Sequence, residues 1–74
     1  MRSLSGHEAI SALQAAGFSV VRISGSHHIL KKADYPFAVS VPVHKGKNLK
    51  PGTLRGIIRS AGLTVEEFEA YLNR

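Results

Sequence analysis

Apolar positions recur along the chain with two periods, and the switches between them mark out short elements. Ile10, Leu13 and the alanines at 9, 12, 15 and 16 share one helical face. Ser5 with Glu8 three residues on has the spacing of a capping box, in which each side chain satisfies a helix-end amide, and Gly17 suits the left-handed position after the last turn. A helix is predicted over about residues 6–16. Phe18 to Ser24 is rich in β-branched residues and predicts a strand, with Gly25-Ser26 as the turn after it. His27 to Lys32 predicts a second strand, ended by Asp34-Tyr35-Pro36. Phe37, Val39, Val41 and Val43 alternate with Ala38, Ser40, Pro42 and His44, the pattern of a half-buried third strand with its odd-numbered side chains inward. Pro42 has no N–H to give a ladder, which places this strand at an edge or gives it one free side there.

A basic loop, His44-Lys45-Gly46-Lys47-Asn48, leads to Lys50-Pro51, and Pro51 fits the first turn of a helix. Leu54, Ile57, Ile58 and Ala61 follow the helical period, and Gly62 stops them. Thr64 and Glu67 form a second capping box, opening a short helix with Val65, Phe68 and Leu72 on one face. The fold class is therefore α+β: α-β-β-β-α plus a short C-terminal helix, with helices on one face of a three-stranded antiparallel sheet.

The length of 74 residues predicts a single domain over 1–74. A domain of this size buries only about 60% of its unfolded surface, so its core is thin. Ten Lys+Arg against five Asp+Glu give a net charge of +5, which favours a polyanionic partner. The absence of cysteine excludes disulfides and thiolate zinc sites. No apolar run approaches the roughly 20 residues of a membrane span. Met1-Arg2-Ser3-Leu4 has no apolar stretch behind its charge, so no export is expected. A cytoplasmic protein without a membrane partner is the expectation.

Gly25-Ser26-His27-His28 puts two imidazoles beside a tight turn, and histidine exchanges protons near neutral pH. Adjacent strand residues face opposite sides, so only one of His27 and His28 meets a given ligand. If Leu30 packs inward, so do His28 and the stem of Lys32, leaving His27, Ile29 and Lys31 outside. If Ile29 packs inward, the assignment reverses, and composition leaves both registers open. His27, His28 and His44 offer imidazoles to a metal, but no HxH or HExxH spacing exists and no carboxylate is near in sequence, so none is expected. Lys31 and Lys32 close the second strand, Lys45, Lys47 and Lys50 lie just before the second helix, where helix-end amides attract anions, and Arg55 and Arg59 are on that helix. A solvated polar face accounts for the same charge pattern.

Several ordered motifs carry a resemblance. Gly-Phe-Ser-Val-Val-Arg at 17–22, Gly25-Ser26-His27-His28, Val41-Pro42-Val43-His44 and Leu49-Lys50-Pro51-Gly52-Thr53-Leu54 resemble the HicA (YcfA-like) toxin family. Ile57-Ile58, Ala61-Gly62-Leu63 and Glu66-Glu67-Phe68 continue the match, which runs from Leu4 to about Leu72. The resemblance implies a toxin of a type II toxin–antitoxin pair with a double-stranded-RNA-binding-domain-like fold. It implies a metal-independent mRNA endoribonuclease without cofactor, monomeric when alone, whose active site a cognate HicB antitoxin covers. The family's catalytic histidine falls on His27, members with the histidine one place later keep His28 in play, and Gly25 is the motif glycine. This favours Leu30 inward and His27 outward.

On that reading His27 is a general base for a ribose 2′-hydroxyl, leaving a 2′,3′-cyclic phosphate, and His44 is a candidate acid. Lys45, Lys47 and Lys50, with Lys31, Lys32, His44 and Arg55, are RNA-contact candidates. A non-catalytic RNA-binding module that blocks translation by occupancy is the alternative, and a purely protein-binding role is a third.

Overall fold

Both capping boxes form and set the starts of two helices. Ser5 Oγ accepts from the Glu8 N–H at 3.1 Å and the Glu8 carboxylate accepts from the Ser5 N–H at 3.0 Å. Thr64 and Glu67 repeat the arrangement at 3.1 and 2.8 Å. The Ser5 amide, and then the Arg2 guanidinium 3.0 Å away, hold the Glu8 carboxyl below its ordinary range. The computed structural model describes residues 2–74. Met1, with which the expected domain and the N-terminal charge reading both begin, lies outside them. The elements run α1 (Gly6–Ala15), β1 (Ser19–Ser24), β2 (His27–Lys31), β3 (Val39–Pro42), α2 (Pro51–Ser60) and α3 (Val65–Leu72). Helices α1 and α2 end alike: Phe18 N–H bonds Leu13 O at 3.0 Å and Leu63 N–H bonds Ile58 O at 3.2 Å, closing the last carbonyls.

The sheet is antiparallel in the order β1-β2-β3. Leu30 pairs with Val20 on one side and Val39 on the other, and Leu30, Val39 and Val41 are fully buried. Leu30 therefore faces the helices, together with His28. Helix α1 packs on α3 and β3, and α2 packs on β3 and α3, so all three helices lie on this one side. Phe68, Leu4, Leu13, Ala9 and Ala12 are fully buried as well. The opposite face of the sheet carries the exposed side chains of Ser24, His27, Lys31 and Ser40.

Strand β3 is an edge, as Pro42 requires. Val43 N–H bonds Ser26 O at 2.7 Å, so Pro42 sits between bonded pairs and the N–H it lacks would point away from the sheet. The strand is shorter than alternation suggests. Phe37 is 63% exposed and lies outside the ladder, not inside the core. The chain turns through Asp34 at φ 64° and peels away, so that Tyr35 donates to the Ser60 carbonyl at 2.6 Å and Phe37 packs edge-on against Tyr35. β2 likewise stops at Lys31 rather than Lys32. In α3 the buried face rests on Phe68, while Val65 is 38% exposed.

Gly6 is buried at the first position of α1, hard against the end of β3. A Cβ there would overlap the Pro42 carbonyl oxygen and stand 2.9 Å from Val43 Cγ2. Gly6→Ala is expected to destabilise the fold by about 1–3 kcal/mol through overpacking, more than the roughly 1 kcal/mol of helix propensity it gains. A fall in the urea midpoint checks this; an unchanged midpoint would mean that α1 slides freely on β3.

Candidate nucleic-acid interface

Gly25 and Ser26 close the β1–β2 hairpin as a two-residue turn between the partners Ser24 and His27. Gly25 has φ 59° and Ser26 does not share the positive φ, the type II′ pattern with glycine first. A Cβ on Gly25 would meet nothing within 4 Å, so the demand is conformational rather than steric. Leaving this turn, β2 sends its two imidazoles to opposite faces. His27 lies opposite Ser24 and Pro42 and is exposed on the uncovered face. His28 lies opposite Ile23 and Val41 and is half-buried on the helix side. Its ring meets His7 of α1 edge-on, with centroids 5.8 Å apart, and its Nδ1 is buried without a hydrogen-bond partner among the described residues. The two histidines thus have different jobs available: one meets solvent and the other packs.

The loop after β3 has a shallow groove on each flank. One, lined by Pro42, His44, Lys47, Lys50 and Thr53, adjoins the uncovered face, because Pro42 is the ladder partner of His27. The other, lined by Ser5, His7, Val43, His44, Lys45 and Lys47, runs along the start of α1. His44 and Lys47 border both. Lys31 shares the uncovered face with His27, four residues along β2 and about 13 Å away by strand rise. Two cations lie elsewhere. Lys32 holds its Nζ 5.0 Å from the Phe18 ring centroid and 5.6 Å from that of Tyr35. Arg55 lines a separate pocket with Arg2, Leu49, Pro51, Leu54 and Val65.

Sequence reasoning passed over two residues, His7 and Arg22. The signal for His7 is the glycine before it, which lets α1 approach β3 and carries the ring to His28. Arg22 owes its position to a bulge that no composition reveals. Among the described residues the only ion pair is Arg2–Glu8, so the cations around His27 are uncompensated by protein carboxylates. No cluster of three metal-ligating side chains occurs among the described residues, and no helix of them is long and apolar enough to cross a membrane.

Fold and site define an α+β class of small basic domain, with helices backing a three-stranded antiparallel sheet whose free face presents an imidazole among cations that form no ion pair among the described residues. The family model described as "HicA toxin of bacterial toxin-antitoxin" matches residues 6–63, and the chain belongs to that family. Membership makes it a component of a toxin–antitoxin system and implies a HicB antitoxin partner. No curated protein matches the sequence.

Proposed function

We propose that this toxin is a cytoplasmic, metal-independent endoribonuclease that cleaves mRNA and so inhibits translation, with His27 as general base. The observation that carries the reading is the exposed His27 imidazole, laddered to Pro42 and so to the groove of His44, Lys47 and Lys50. His27 takes the proton of a ribose 2′-hydroxyl, the freed oxygen attacks the adjacent phosphorus, and the bond to the 5′ oxygen breaks. One product ends in a 2′,3′-cyclic phosphate and the other in a 5′-hydroxyl, whose proton comes from His44 or from water. Lysines of the loop hold the phosphate and offset its developing charge. The same cationic surface suits an acidic HicB segment, which would shield the site from RNA, and the toxin alone acts as a monomer.

Incubation of the purified protein with RNA in excess chelator is expected to generate new cyclic-phosphate and 5′-hydroxyl ends. Salt-sensitive binding with no new ends would instead assign the protein to translation block by occupancy.

A further inference from the structure

The bulge in β1 exposes a cation that strict alternation would have turned toward the helices. Val20 pairs with Leu30 on the helix side, and an unbroken strand would put Arg22 on that side too. The extra residue, Val21, shifts the register, so that Arg22 pairs with Ile29 and joins the uncovered face of His27 and Lys31. His27 and Lys31 flank Ile29 along that face, which makes Arg22 a diagonal neighbour of both, at about 7–8 Å between backbones and within reach of a long side chain.

None of the five acidic residues, Glu8, Asp34, Glu66, Glu67 and Glu69, lies on a strand. Arg22 is exposed and makes no ion pair among the described residues. Like charges set close on one sheet face destabilise it, so the protein alone gains nothing from placing Arg22 beside Lys31. An anion held between them reverses the sign. A guanidinium matches a phosphate through paired N–H donors, and an ammonium acts as a point charge on the next one.

The geometry points to Arg22 and Lys31 as a phosphate-binding pair that seats an RNA strand across the open sheet. Arg22 contacts the phosphate attacked by the 2′-oxygen that His27 deprotonates, and Lys31 contacts its neighbour. The strand then leaves over Pro42 toward His44 and Lys47. The role given to Arg22 in cleavage rests on the endoribonuclease reading; the phosphate contacts do not.

The test compares Arg22→Gln and Lys31→Gln with Arg59→Gln, a charge-matched change on α2. Cleavage is timed directly, and affinity for a short single-stranded RNA is measured over a salt series in a His27→Ala background. Arg22→Gln is expected to slow cleavage about 10²-fold. It should weaken binding about tenfold and lower the slope of log affinity against log salt by about 0.7. Its melting temperature should hold or rise, which a structural role would not allow. Lys31→Gln should reproduce the binding changes with less effect on cleavage, and Arg22→Lys should restore binding more than rate.

Cleavage and binding no different from Arg59→Gln would overturn the assignment, and would do so equally if only the antitoxin complex weakened. A parent that cuts nothing, with binding still dependent on Arg22 and Lys31, would remove the endoribonuclease reading and leave the phosphate pair standing.

Discussion

His27→Ala is expected to slow RNA cleavage by about 10²–10⁴-fold, the contribution of a positioned general base, while leaving the fold intact. The side chain is exposed and no helix packs over it, and substitutions at such positions usually change stability by within about 0.5 kcal/mol. His28 should behave in the opposite way. Its ring is half-buried against His7 and its Nδ1 has no partner among the described residues, so truncation to alanine removes packing. His28→Leu keeps apolar volume and deletes the unpartnered nitrogen; it should fold as well as the parent and cut at a similar rate. Single-turnover cleavage beside thermal melts of the variants separates the two roles. A His27→Ala protein at full rate, with His28→Leu dead, would move the base to the helix side, next to His7.

Phe68→Ala should leave little folded protein. Phe68 is the largest fully buried side chain, on a helix that packs against both α1 and α2. Emptying such a site costs about 3–5 kcal/mol. A chain of 74 residues has a total stability of roughly 4–11 kcal/mol, so the loss takes a large share of it. The family match ends at residue 63, before α3 begins at Val65, yet α3 supplies this anchor. A chain ending at Leu63 is expected to fail in the same way. Far-UV circular dichroism melts read both; a cooperative transition near the parental midpoint in Phe68→Ala would show that the core closes without the ring.

How much of this was legible in the sequence follows from how local each cause is. Capping boxes, the faces of α1 and α2, and the edge position of Pro42 depend on residues within a few positions of one another, and they formed as the spacing predicts. The register of β2 did not follow from spacing, because Ile29 and Leu30 are equally apolar; the pairing of Leu30 with Val20 and Val39 decides it through contacts distant in sequence. Phe37 departs from the expected strand: its alternation with Val39 continues through Ala38, whereas the turn at Asp34 and the Tyr35–Ser60 hydrogen bond pull the chain off the ladder. In the candidate site, the turn and its two imidazoles were readable. The division of labour among the cations was not: Lys32 rests on aromatic rings, Arg55 turns toward another pocket, and Arg22 gains its place from a bulge.

That bulge and Pro42 occupy the two outer strands, and their joint effect concerns the molecule's company. β1 breaks its hydrogen-bonding repeat at Val21, and β3 lacks a donor where its outer rim would offer one. A strand from another chain has no unbroken row of amides and carbonyls to zip onto from either side, which hinders growth into ribbons and fibrils even at high concentration. Recognition by strand addition is hindered for the same reason. A protein partner is thereby steered toward reading side chains rather than extending the sheet.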